Sequence, residues 1–289
     1  MLFKRIFSSF LLFFALFCIF GCSKESDGRD VIAVSIEPQR AILEKIAGDR
    51  FRIVTIMPGG ENPETFEPTP SKRIDIEDSK IYFSTGLLPF EQKLGKISSD
   101  KSKFSNTSEG IELIYGTHSH GTGDKAHTHS VADPHVWTSI RNVKKIAANM
   151  MAALVKADPE NASFYKDNFD AYSARLDSLD AAFAKRLTEG GAKAFLVWHP
   201  SLSYFARDYG LQQVAVSSET KELSVNSLAD VVEKAKGDSI KVMFFQREYD
   251  NRQAEMIGKS SATRLVAVSP SAYEWENELT LIVDELAKH

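Results

Sequence analysis

The chain is poor in cysteine, in clustered positive charge and in long apolar segments. Only Cys18 and Cys22 occur among its 289 residues, which excludes thiol catalysis, redox cysteine pairs and zinc sites built from thiolates. Asp and Glu (39) outnumber Lys and Arg (35), and no basic block is present, so nothing favours a nucleic-acid partner. With 43% hydrophobic residues the chain has an ample core, and its length predicts two lobes.

The N-terminus carries an export signal. Ile6–Phe20 is nearly all apolar and follows a short basic stretch, but it is shorter than the roughly 20 residues of a transmembrane helix. It ends in Ile-Phe-Gly-Cys, which resembles a bacterial lipobox with Cys22 as the acylated residue. We expect a lipoprotein signal peptide over residues 1–21 and a lipid-anchored tether over residues 22–29. The alternative is a signal cut elsewhere, with Cys22 an incidental thiol.

Short β-branched or aromatic segments alternate with helical periodicity through the rest of the chain. This alternation predicts parallel sheets covered by helices, in two similar (β/α)4 lobes of the α/β class. The predicted strands are Val31–Ile36, Arg52–Met57, Lys80–Ser84, Ile111–Ile114, Ala194–Trp198, Gln212–Ser217, Lys241–Gln246 and Arg264–Val268.

One long helix is predicted between the lobes. Pro159 favours a helix start, and an apolar stripe continues to the glycine pair at 190 and 191. We therefore expect an N-terminal lobe over residues 30–157, a linking helix over 158–189 and a C-terminal lobe over 190–289. The stripe consists of Tyr165, Phe169, Tyr172, Leu176, Leu179, Phe183 and Leu187.

Histidine is strongly clustered. Five of the seven histidines lie between residues 118 and 135. The first four are His118, His120, His127 and His129. Their glycine-containing surroundings predict a mobile loop over residues 117–131, which could hold zinc weakly and exchange it quickly. A solvated polar loop without any ligand is the alternative.

Two further histidines are placed more rigidly. His135 lies between a proline and a tryptophan in Asp-Pro-His-Val-Trp. His199 directly follows a predicted strand, and ligands bind at the carboxyl ends of parallel strands. A third loop after a strand, residues 59–70, carries Glu64 and Glu67 between prolines that restrict its backbone. Acidic turn residues are usually only solvated, so this loop alone proves nothing.

Three segments resemble the metal-binding subunits of bacterial ABC importers for zinc and manganese, in particular the zinc branch. They are NPETFEPTPS, DPHVW and HPSLSYFARDYGL, and the resemblance covers nearly the whole mature chain. It implies two lobes joined by a rigid helix, with one metal ion in the cleft. The family's second and third ligands fall on His135 and His199, and its first histidine is replaced by Glu64.

The family's fourth ligand, an aspartate, falls on Ser269, which is a poor zinc ligand. The resemblance therefore implies a site of two histidines and one glutamate, completed by water or by another carboxylate. The carboxylates considered for this position are Glu67, Glu219, Glu274 and Glu276. A carboxylate in place of an imidazole could also admit manganese or iron.

The expected function is capture of zinc outside the cytoplasm and its delivery to an importer. The implied partners are an ABC permease with its ATPase and, through the lipid anchor, a membrane on its periplasmic face or the cell surface. We expect a monomer. Mn²⁺ or Fe²⁺ is the alternative cargo. An exported zinc hydrolase is a second alternative, because two histidines and a glutamate also form hydrolase sites, but no HExxH motif is present.

Overall fold

The computed structural model describes residues 28–98, 100–120, 127–216, 225–248 and 252–288. The predicted signal peptide, Cys22 and most of the tether lie outside these residues.

The first lobe is built on a four-stranded parallel sheet with the order β2-β1-β3-β4. Val31, Ile32 and Ala33 in β1 pair with Arg52, Ile53 and Val54 in β2. Because β1 is an inner strand covered on both faces, its apolar residues are almost fully buried. The strands are β1 Val31–Val34, β2 Arg52–Thr55, β3 Ile81–Ser84 and β4 Phe104–Asn106.

The second lobe repeats this topology. Its sheet has the order β10-β9-β7-β8, so in both lobes the first strand lies between the second and the third, and the fourth lies at the edge. The strands are β7 Ala194–Val197, β8 Gln212–Ala215, β9 Val242–Gln246 and β10 Arg264–Val268. The prediction of two similar lobes with parallel sheets is therefore confirmed.

The fourth strand of the first lobe was predicted at the wrong place. Residues 111–114 form no strand, and β4 lies a few residues earlier. Ile111, Leu113 and Ile114 are apolar because they pack, partly buried, against the core. The three-residue β4 contains only one large apolar residue, so it has almost no hydrophobic pattern of its own.

Helices connect the strands and cover the sheets. The α-helices are α1 Glu37–Ala47, α2 Pro70–Asp78, α3 Pro89–Ile97, α4 Ile140–Ala157, α5 Ala162–Gly190, α6 Ser203–Tyr209, α7 Val225–Gly237, α8 Arg252–Ser261 and α9 Trp275–Leu286. In the part of the chain that the structure describes, no helix combines the length and apolarity needed to cross a bilayer.

Helix α5 links the two lobes. Its 29 residues span about 43 Å, and it packs against α1 and α4 of the first lobe and α9 of the second. Pro159 opens a short 3₁₀ turn before the helix, and Gly191 ends it in the left-handed conformation. Of the predicted stripe, Phe169 and Leu179 are partly buried. The other five residues are fully buried: Tyr165, Tyr172, Leu176, Phe183 and Leu187.

The C-terminal end of α5 makes a tight contact that can be tested. A Cβ atom at Gly190 would lie 2.5 Å from the Cα atom of Ala287. We expect Gly190→Ala to lower the free energy of unfolding by about 1–3 kcal/mol, because two backbones must move apart. Denaturant unfolding measures this. The control is Gly95→Ala in α3, where a Cβ atom meets nothing within 4 Å, and stability should stay equal or rise by about 0.5–1 kcal/mol. Equal effects of the two substitutions would contradict the packing described here.

Candidate metal centre

Three loops bring Glu64, His135 and His199 together. Glu64 lies between β2 and α2, His135 lies just before α4, and His199 is the second residue after β7. Each residue offers one ligand atom, and these atoms all lie within 4.8 Å of one another. Glu64 and His135 belong to the first lobe and His199 to the second. The structure thus places side by side the three residues that the sequence predicted as ligands.

His199 is fixed by its neighbours at the end of the second sheet. Its Nε2 atom lies 3.1 Å from a carboxylate oxygen of Glu64, and the residue is only 3% exposed. The side chain of Gln246, the last residue of β9, forms hydrogen bonds with both the N–H and the carbonyl group of the His199 backbone. Its amide nitrogen donates to the His199 carbonyl at 2.9 Å, and its oxygen accepts from the His199 N–H at 3.3 Å. Rigid backbone placement of this kind limits where the imidazole can lie.

His135 is oriented by Asp133. The Nδ1 atom of His135 lies 2.8 Å from the Asp133 carboxylate, which also accepts the His135 backbone N–H at 2.9 Å. A proton on Nδ1 leaves Nε2 as the free acceptor, which is the tautomer that binds a metal through Nε2. The ring of His135 lies 5.2 Å from that of His199, centroid to centroid. The two imidazoles are therefore neighbours in one buried pocket.

Glu64 is held by a turn within its own loop. Its backbone N–H donates to the side chain of Asn62 at 2.9 Å, and the N–H of Phe66 donates to the Asn62 carbonyl at 3.0 Å. Phe66 packs edge-on against Phe90, with ring centroids 5.2 Å apart. These contacts anchor the loop to the core beside α3, so that Glu64 points toward the second lobe.

Electrostatics keeps the carboxyl groups of the site ionised. Burial alone would raise the pKa of Glu64, but its hydrogen bond with His199 and the charges of both histidines lower it overall. Burial would lower the pKa of His135, but the hydrogen bond and charge of Asp133 and the charge of Glu64 raise it overall. The pKa of Asp133 is lowered by His135 despite burial. Two negative carboxylates beside two imidazoles form a site suited to a divalent cation.

A cavity of 340 Å³ opens directly onto these three residues. Its lining also includes Leu87 and Pro89 from the segment at the start of α3, and Tyr115 and Ala132 from residues on either side of the histidine-rich segment. The two histidines are thus buried in the protein, and the site is open toward this cavity.

The structure does not bring the proposed additional carboxylates to the site. Glu67 forms an ion pair with Lys93, and Glu276 forms one with Arg175. Glu274 is exposed before α9, and Glu219 lies outside the described residues. Within the described residues, the group of Glu64, His135 and His199 includes no further His, Cys, Asp or Glu.

Ser269, which takes the place of the family's aspartate, is itself engaged elsewhere. It follows β10 and is 9% exposed. Its hydroxyl donates to the carboxylate of Glu248, and its backbone N–H donates to Glu278 at 2.9 Å. The fourth position of the candidate centre is thus left without a side-chain ligand among the described residues.

The predicted mobile loop over residues 117–131 is largely a β-hairpin, which corrects that expectation. Strands β5 Tyr115–His120 and β6 His127–Ala132 pair in antiparallel fashion. Backbone pairing sets His118 opposite His129, and His120 opposite His127. Directly opposed residues, and residues two apart, share a face of a ribbon, so these four positions share one face. In each strand the two histidines are two positions apart, which is the periodicity of a β-strand. This pattern was missed because the segment contains glycines and has no alternating apolar residues.

Two positioning residues were not predicted. Asp133 precedes His135 by two residues, and a carboxylate so close to a candidate histidine ligand is a recognisable signal. Gln246 ends a strand that was predicted correctly. It lies at the carboxyl end of a parallel strand, as His199 does, so the same rule could have identified it.

The chain is similar to known zinc-uptake proteins in sequence and in fold. The family model described as "ZnuA: Zinc-uptake complex component A periplasmic" matches residues 32–280. The high-affinity zinc uptake system protein ZnuA of Bacillus subtilis is 28% identical over 237 residues, covering 78% of this chain and 73% of that protein. A crystal structure of ZnuA superposes with a TM-score of 0.79 at 30% identity, covering 90% of this chain and 98% of that chain.

A further relative is longer than this chain. The zinc-binding lipoprotein AdcA of Streptococcus pneumoniae is 28% identical over 269 residues, which cover 89% of this chain but only 53% of AdcA. The chain thus spans about half the length of AdcA.

The bond between Asp133 and His135 can be tested by substitution. We expect Asp133→Ala to weaken binding of a divalent metal ion about 10- to 100-fold, because the His135 ring loses the partner that fixes its tautomer and orientation. Asp133→Asn is the matched control. It keeps an acceptor oxygen without the charge and should lose less affinity. Competition against a fluorescent chelator measures both, and wild-type affinity in the alanine variant would contradict the assigned role.

Proposed function

Because this chain belongs to the family of periplasmic zinc-uptake components, we propose that it captures zinc outside the cytoplasmic membrane and delivers it to an ABC-type importer. The observation that carries this proposal is the convergence of one carboxylate and two imidazoles within 4.8 Å. Two ligand atoms on a tetrahedral zinc ion at bond lengths of about 2.0–2.1 Å are roughly 3.3 Å apart. The three side chains therefore need to close by only about 1.5 Å to bind an ion.

The composition of the site favours zinc. Neutral imidazole is a common zinc ligand, and a carboxylate commonly completes such sites. The two histidines are 4% and 3% exposed, respectively, so an ion bound between them is withdrawn from water. The single glutamate makes the site harder than one of three imidazoles, and for this reason Mn²⁺ and Fe²⁺ are the competitors to test.

We assign the histidine hairpin the role of a weak, fast-exchanging collector of zinc. Its four histidine positions share one face, and the base of the hairpin lines the cavity through Tyr115, Gly116, Val131 and Ala132. An ion released by the hairpin would thus enter next to Glu64, His135 and His199. Zinc binds only the neutral form of an imidazole, so a protonated histidine must first lose its proton and capture is weaker at low pH.

Delivery depends on a difference between the empty and the loaded protein. The only covalent connection between the lobes is a packed helix, which resists wide opening. We therefore propose that zinc binding tilts the lobes slightly and orders the loops around the ion, and that a monomer in this loaded form is preferred by the permease and its ATPase. Acylation at Cys22 would hold the protein at the outer side of the membrane that contains the importer, or at the cell surface.

The tight site and the hairpin can be separated by mutation. His199→Ala should abolish the tight zinc site, because one of only two imidazoles is lost, and should leave the weak sites. Replacing the four hairpin histidines at 118, 120, 127 and 129 by Ala should remove the weak sites and leave the tight site. Equilibrium dialysis of zinc over a wide concentration range distinguishes the two classes of site. Manganese titration of the wild type completes the comparison.

The outcome that would contradict the proposal is a tight site that survives His199→Ala and disappears with the hairpin histidines. Hydrolysis of peptide, ester or phosphoester substrates by the zinc-loaded protein, lost in a His135→Ala variant, would favour the enzymatic alternative instead.

A further inference from the structure

The cavity beside the candidate centre is much larger than an ion requires. Its volume is 340 Å³, whereas one water molecule occupies about 30 Å³ in the liquid. Cavities that bind small organic molecules begin at roughly 300 Å³. The space next to the three ligands is thus sufficient for a small molecule as well as for the ion.

No residue of the cavity wall offers a fourth strong ligand. The described lining contains only two charged side chains, Glu64 and Asp133. Glu64 is already one of the three ligands, and Asp133 is engaged by His135. The remaining polar side chains are the hydroxyl groups of Thr65, Tyr115 and Ser203, which are weak ligands for zinc. Because no side chain among the described residues supplies the fourth ligand, we take it to come from the solvent or to arrive together with the metal.

The walls of the cavity are suited to an apolar body. They include Leu87, Pro89, Ile114 and Pro200. At the mouth, Tyr115 and Val131 are 62% and 47% exposed, although large apolar side chains are commonly buried. A molecule in the cavity would cover part of this apolar surface, which a water molecule on the metal would leave exposed.

Taken together, these features lead us to propose that the cavity accepts zinc as a one-to-one complex with a small, monoanionic chelator. The chelator binds zinc through one nitrogen and one carboxylate oxygen and presents an apolar ring to the wall. The carboxylates of Glu64 and of the chelator together neutralise the two charges of the ion, while the Asp133 carboxylate stays hydrogen-bonded to Nδ1 of His135. Zinc then has five ligand atoms, a number to which open sites sometimes expand. This inference rests on the proposed zinc-binding function and specifies the form in which zinc is taken up.

Two chelators of matched chemistry test the proposal. Picolinate and glycinate both bind zinc through a nitrogen and a carboxylate in a five-membered ring, but only picolinate has an aromatic ring. The full-length protein is first loaded with one equivalent of zinc and then dialysed against each chelator. We expect about one picolinate retained per zinc-loaded chain, none by the metal-free protein, and glycinate bound about tenfold more weakly after correction for its own zinc affinity.

Variants that fill the cavity locate the binding. Leu87→Trp should reduce picolinate retention at least about tenfold while zinc alone stays bound, because Leu87 is not a ligand. Ala132→Phe enlarges another residue of the lining and serves if the first variant does not fold. Ile97→Trp is the control, since Ile97 is 61% exposed on α3 and does not line the cavity. This control should retain picolinate as the wild type does.

The outcomes separate the two proposals. Three outcomes would overturn the chelate proposal and leave zinc capture intact. The protein binds zinc but retains no picolinate, picolinate removes the zinc from the protein, or Leu87→Trp and Ala132→Phe retain as much picolinate as the wild type. Failure of the wild-type protein to bind zinc in the loading step would overturn the proposed function itself.

Discussion

The contact between Glu64 and His199 is the interaction on which the rest of the site depends. It joins a carboxylate of the first lobe to an imidazole of the second at 3.1 Å, and both residues line the 340 Å³ cavity together with His135. Both groups are largely withdrawn from water, so each compensates for the burial of the other. The same two groups can bind a divalent ion together, because their ligand atoms lie close to one another.

The surrounding structure keeps this contact from collapsing or drifting apart. Asp133 orients His135, and Gln246 fixes the backbone of His199. Asp133 precedes His135 by two residues, whereas Gln246 ends β9, the strand next to β7 in the second sheet. Helix α5 packs against α1 and α4 of the first lobe and against α9 of the second. These contacts place the three ligand atoms within 4.8 Å of one another, and such positioning lowers the cost of ordering the site when it binds an ion.

The sequence predicted the two-lobed architecture, and it named the three residues that the structure brings together, Glu64, His135 and His199. Strands such as β7 and β9 are buried on both faces and appear as continuous apolar segments, which are easily recognised. His199 was identifiable because ligands bind after such strands. Strand β4 was missed because an edge strand of three residues needs few apolar side chains, and the hairpin was missed because polar residues alternate on both of its faces.

The supporting contacts could not be predicted in the same way. The bond from Gln246 to His199 joins residues 47 positions apart and depends on the register between β7 and β9, which no local pattern specifies. The fourth ligand position depends on where the side chains of Ser269 and Glu67 point, and both are engaged by neighbours that only the folded chain brings near.

The most direct measurement is anomalous scattering at the zinc absorption edge from crystals of protein loaded with one equivalent of zinc. The account predicts one dominant peak between Glu64, His135 and His199, with ligand distances of about 2.0–2.2 Å. A dominant peak on the hairpin, or at any position that leaves the Glu64 carboxylate bonded to His199, would contradict it.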